Sequence, residues 1–136
     1  MHQIMAPEEI EAFLGLNAKK CFDLESLAKL EVNDVNRLKQ QVPGWRPGPN
    51  CESIEQDFRA KDPTAAEEIM TRFTTAAKDN GHPIYAQEVV GGDLVRVTLK
   101  TPSKDGLTLN DFIIAARLNK TPVEDLQPAK KKRYWA

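Results

Sequence analysis

Histidine is nearly missing from this sequence: its 136 residues contain two, His2 next to Met1 and His82 in the stretch NGHPIY. Cysteine is equally scarce, with Cys21 and Cys51 standing 30 residues apart and no Cys-x-x-Cys between them. Two such thiols and a single internal histidine supply neither a zinc site nor a disulfide framework, so both cysteines read as ordinary thiols and no metal is expected. Apolar runs of the roughly 20 residues that span a membrane are absent. The opening MHQIMAPEEIE is acidic where a secretory signal would be basic and then apolar, so a cytoplasmic location without a membrane partner is expected. Net charge is also lacking: 19 Lys and Arg against 20 Asp and Glu leave -1, which excludes the overall basic balance of a nucleic-acid binder and confines any basic surface to a local patch.

What is present is a chain that is 40% hydrophobic and 29% charged, long enough for one domain with a core and too short for two of ordinary size. Residues 1–41 read as an added helical arm. Pro7 suits a first helical position before EEIEAFL, Asp23 can cap LESLAKLE, and VNDVNRLKQQ continues helically to Pro43. VPGWRPGPN, residues 42–50, holds three prolines and two glycines and reads as a loop, with Trp45 as a buried anchor. SIEQDFRA is a strand candidate. Asp62 and Pro63 then set a helix whose Ala66, Ile69, Met70, Phe73 and Ala77 recur at i, i+3, i+4 and i+7, and Asn80-Gly81 ends it.

From Pro83 the period becomes two. Ile84–Val90 and Leu94–Thr101 flank Gly91-Gly92-Asp93, a hairpin loop. Val95, Val97 and Leu99 share one face and Arg96, Thr98 and Lys100 the other, as in an antiparallel sheet covered on one side. Thr108 and Asp111 form the start of a capping box for a helix through FIIAARLN that is apolar nearly all round. A domain this small is not expected to bury it completely, so Phe112, Ile113 and Ile114 are expected at a contact with a second copy of the chain.

From Gly44-Trp45 to Asn119, this order resembles the pterin-4a-carbinolamine dehydratase family, above all in IMTRFTTAAKDNGHP (69–83) and TLKTPSKDGLTLNDFIIAARLN (98–119). The resemblance implies an α+β fold: a four-stranded antiparallel sheet with helices packed on one face in residues 51–122, assembled into dimers or larger oligomers. It also implies a site. The family sets two adjacent histidines before the proline, a third at the end of the second hairpin strand, and an acid in the next helix, so that one group protonates a leaving hydroxyl and another accepts a ring proton. Here those positions are Gly81, His82, Pro102 and Asp111. Glycine and proline carry no titratable side chain, so no catalytic residue and no cofactor is expected, His82 is read as a half-buried structural imidazole, and Asp111 as a helix cap.

The degraded histidine set and the helical arm resemble the non-catalytic branch of this superfamily found in alpha-carboxysome gene clusters, whose members act as Rubisco assembly factors. That resemblance implies a homodimeric chaperone that binds the Rubisco large subunit, with carboxysome association. A divergent dehydratase retaining His82 and Asp111 is the alternative. A third reading, nucleic-acid binding, rests on the faint helix-turn-helix pattern of DLESLAKLEVNDVNRLKQ, whose second helix offers only Arg37 and Lys39 beside Asp34, too few cations for phosphate contacts. No nucleic-acid partner is expected. In the basic tail, residues 123–136, the run Lys130, Lys131, Lys132 and Arg133 followed by Tyr134 and Trp135 reads either as a solvated end or as a docking element for an acidic patch on the partner.

Overall fold

The structure, a computed structural model, describes residues 21–129. The expected EEIEAFL helix and the candidate docking residues Lys130, Lys131, Lys132, Arg133, Tyr134 and Trp135 lie outside the described residues. Among the described residues, three α-helices, α1 (Val32–Leu38), α2 (Pro63–Asp79) and α3 (Leu109–Lys120), accompany four strands, β1 (Arg46–Pro47), β2 (Ile54–Arg59), β3 (Ala86–Val90) and β4 (Leu94–Leu99). The strands form one antiparallel sheet in the order β1-β2-β4-β3. This is the expected α+β architecture.

Alternation decides the faces. Val95, Val97 and Leu99 on β4 are fully buried, and their register partners Phe58, Gln56 and Ile54 on β2 share that side. Phe58 meets Phe73 of α2 edge to face at 4.7 Å, and Trp45 meets Phe58 at 6.1 Å. The opposite face is charged: Arg96 grips Asp57 with two bonds of 2.9 and 3.2 Å, and Arg46 reaches Glu55 at 3.0 Å and Asp57 at 3.3 Å. The Arg96 guanidinium holds the Asp57 carboxyl below the usual carboxylate range. Helix α2 starts as its sequence requires, with Asp62 accepting a 2.7 Å bond from the Ala65 amide and Pro63 at the first position.

Several local expectations are corrected. Asp23 does cap, accepting from the Glu25 amide, but the result is a single 3-10 turn, Leu24–Ser26, rather than a helix through LESLAKLE. The next residues are claimed by tertiary contacts: the Leu30 amide donates to the Leu107 carbonyl at 2.8 Å and Leu27 is buried in the core. Residues 21–41, expected as an appended arm, therefore pack onto the rest of the domain, with Val35 and Leu38 of α1 fully buried. The Pro/Gly loop contains the short strand β1, and Trp45 is anchored there by its indole N–H to Asn119 Oδ1 at 2.9 Å.

The largest correction concerns α3. Phe112, Ile113 and Ile114, expected at a subunit contact, are each 0% exposed within a single chain. Cover comes in cis: Phe22, Leu24, Leu27 and Leu30 pack in the same apolar cluster as α3, together with α2 and the sheet. The apolar circumference of α3 was real, but its second face is closed by the chain's own upstream segment. Ile113→Asp should therefore bury an unpaired charge in the core and destabilise the fold by about 4 kcal/mol or more. Circular dichroism and light scattering should show an unfolded chain at every concentration, and a folded monomeric Ile113→Asp variant would contradict this packing.

Candidate functional site

The site grows from the corner between α2 and β3. Asn80 caps α2, Gly81 turns the chain through a left-handed φ of 82°, and the His82 amide bonds back to the Ala77 carbonyl at 3.3 Å. This turn drives the imidazole inward, leaving His82 3% exposed. Its Nε2 lies 3.1 Å from Oδ1 of Asp111, itself fully buried in the first turn of α3. The other carboxyl oxygen of Asp111 accepts from the Thr101 hydroxyl at 2.7 Å and from the Thr108 amide at 3.0 Å. Thr101 and Thr108 also bring their hydroxyls within 3.0 Å of each other. Since Thr101 donates to the carboxyl, the Thr108 hydroxyl is the donor between the two threonines.

The four positions implied by the resemblance thus divide into two pairs. His82 and Asp111 are buried and bonded to each other. Gly81 and Pro102 are exposed; a Cβ placed on Gly81 would meet nothing within 4 Å, and Pro102 opens a 3-10 turn that closes back through Thr101 and Gly106. A cleft of about 540 Å³ lies beside the corner, with Gly81, His82, Thr74, Lys78, Tyr85 and Gln87 in its lining. Asp111 and Pro102 do not line it. The imidazole's Nε2 faces the Asp111 carboxyl, so proton transfer through that nitrogen is coupled to a buried network rather than to the cleft. The Lys100 ammonium sits 5.5 Å over the Tyr85 ring at the same end of the sheet. Among the described residues, no group of three His, Cys, Asp or Glu could hold a metal ion.

Three participants were not singled out from sequence as site residues. Thr101 and Thr108 complete the hydrogen bonding of Asp111, and of these only Thr108 carried a signal, as part of the capping box. Cys21 is the third: burial, and then the charge of Asp111, push its thiol up to about 12, against an opposing effect of Arg117.

The arrangement of α2, the His-Pro corner, the hairpin and α3 on a four-stranded sheet defines a pterin dehydratase-like α+β domain. The family model described as pterin 4 alpha carbinolamine dehydratase matches residues 28–121, and the chain belongs to that family. A crystal structure of a transcriptional coactivator/pterin dehydratase from Brucella melitensis superposes with a TM-score of 0.58 at 26% identity, over 68% of this chain and 97% of that one. The mitochondrial pterin-4-alpha-carbinolamine dehydratase 2 of Arabidopsis thaliana is 32% identical over 123 residues, 85% of this chain and 64% of its own. A Rubrobacter xylanophilus protein named for the same dehydratase is 26% identical over 106 residues, 77% of this chain and 96% of its own. The chain spans less than two thirds of the length of the Arabidopsis relatives.

Two outcomes follow from this geometry. His82→Ala removes one of the three hydrogen-bond partners of a buried carboxyl, and urea denaturation should register a loss of about 1 to 3 kcal/mol; an unchanged midpoint would mean that the bond contributes nothing. The Cys21 thiol, raised to about 12, stays protonated and unreactive at pH 8.5. Iodoacetamide at that pH should modify Cys51, which lines an open cleft, well before Cys21, with the difference disappearing in guanidinium. Equal rates in the folded protein would contradict the burial of Cys21.

Proposed function

We propose that this chain is a non-catalytic member of the pterin dehydratase family that assists assembly of an alpha-carboxysomal Rubisco by binding its large subunit. The observation that carries the non-catalytic part is the commitment of His82 to Asp111: the one imidazole in the described fold is bonded to a buried carboxyl, and the neighbouring Gly81 and Pro102 have nothing to titrate. The Rubisco part is supported by the resemblance of the degraded histidine set to the carboxysomal branch. A holding function suits a domain that offers rigid elements and a charged sheet face instead of reactive groups, and Lys130, Lys131, Lys132, Arg133, Tyr134 and Trp135 are the candidate contacts to an acidic patch on the large subunit. The chain would act near or in the carboxysome as a homodimer, without a cofactor.

The second reading is a divergent dehydratase, favoured by the names of the relatives and by the cleft beside His82. The two readings separate in paired assays on the full chain. A pterin dehydration assay should give a rate at least about 100-fold below that of an active relative, since losing a general acid or base typically costs about two to four orders of magnitude. Co-expression with both subunits of an alpha-carboxysomal Rubisco should raise assembled holoenzyme on native gels, and chains truncated after Pro128 should recover less large subunit in pulldowns. A dehydration rate matching an active relative overturns the first part; unchanged holoenzyme yield with no large subunit recovered overturns the second.

A further inference from the structure

The cleft beside His82 lies where the described fold receives the chain from upstream. The Cys21 amide donates to the Asn80 carbonyl at 3.3 Å, and Asn110 holds both the amide and the carbonyl of Phe22 at 2.8 Å. Asn80 directly precedes Gly81, which lines the cleft, so the chain joins the domain at the rim of that cleft. Residues 1–20 lead into this point.

The cleft has an apolar wall and a basic edge. Ala77 in the last turn of α2 and Ile84 and Tyr85 just ahead of β3 supply the wall, and Tyr85 is left 52% exposed. Among the described residues that line it, Lys78 brings a cation and none is acidic. The Lys100 ammonium, 5.5 Å over the Tyr85 ring, adds a second positive charge at the same place.

The upstream sequence complements both features. With Pro7 at its start and Gly15 at its end, a helix over residues 7–14 puts Ile10, Phe13 and Leu14 on one stripe at i, i+3 and i+4. Glu9 and Glu11 fall on the two borders of that stripe, and Ala12 on the opposite side. Eight helical residues are about 12 Å long, against about 11 Å for the last two turns of α2, which wall the cleft from Thr74 onward. Residues 15–20 reach about 20 Å when extended, enough to turn from Cys21 into the cleft. A tether this short gives the helix an effective concentration on the order of millimolar, at which even weak docking is populated. A helix from another molecule would have to match the same stripe and charges without that advantage.

We propose that the cleft beside His82 is an intramolecular docking site, filled by residues 7–14 as a helix. The Ile10, Phe13 and Leu14 stripe rests on Ala77, Ile84 and Tyr85, and an acidic border faces Lys78. The docked helix closes the open side of the His82 corner, so any partner or ligand that uses the cleft must first displace it.

Paramagnetic broadening in the full-length chain tests this. A nitroxide on Ala12→Cys sits on the back of the helix, in a Cys51→Ser background that leaves the buried, protonated Cys21 in place. The amide signals of Gly81, Tyr85 and Gln87 should lose most of their intensity compared with the reduced label. Phe13→Asp, which puts a charge into the apolar stripe, should return those signals. Lys78→Glu should return them too, and adding Glu9→Lys with Glu11→Lys should restore the loss. Undiminished signals at the three residues, or a loss that survives Phe13→Asp, overturns the proposal. A loss seen when isotope-labelled chain without nitroxide is mixed with unlabelled chain carrying it also overturns the proposal, because the helix in the cleft would then come from a second copy.

Discussion

The Asp111 carboxyl is the point on which the site end of this domain depends. Three partners converge on it from three places: the His82 ring from the turn after α2, and as donors the Thr101 hydroxyl just after β4 and the Thr108 amide at the start of α3. Each belongs to a different element, and the apolar packing among those elements specifies burial more strongly than direction. A buried carboxyl that needs all its partners adds direction, since an unmatched one would cost several kcal/mol. Burial, and after it the charge of Asp111, raises the Cys21 thiol, so the hub is felt by the upstream segment as well.

In the proposed non-catalytic reading, this hub gives His82 a role that needs no substrate. The ring lies between the cleft it helps to line and the Asp111 carboxyl, which Thr101 and the Thr108 amide also hold. Gly81 contributes a left-handed turn that most side chains would strain, and Pro102 contributes a tight 3-10 turn beside Thr101. Both residues serve the geometry of the corner.

Much of the fold was legible in the sequence, because α2 and the hairpin announce themselves by local rules: a cap and proline at Asp62-Pro63, a helical period through Phe73, and strict alternation from Leu94 to Leu99. What escaped has physical reasons. LESLAKLE carries good helix formers, yet Leu27 and Leu30 are needed in the core and the Leu30 amide is bonded to Leu107, so tertiary contacts override propensity. A two-residue strand such as β1 has no period to detect. The apolar circumference of α3 was visible, but periodicity cannot distinguish cover by a second copy from cover by the chain's own residues 22–30. At the site, the positions of His82 and Asp111 came from resemblance; the bond between them, across 29 residues, and the part played by Thr101 required the fold.

Under the proposed non-catalytic reading, the charged outer face of the sheet, the cleft beside Tyr85 and the closed core around α3 present surfaces, and the His82 imidazole serves architecture. That claim is most directly tested by nitrogen NMR of the His82 ring during titration with a tetrahydropterin. The account predicts a ring whose Nε2 carries a hydrogen bonded to Asp111 and whose shifts stay constant as pterin is added. Shifts of both ring nitrogens that move saturably with pterin, with loss of the Asp111 bond, would contradict it.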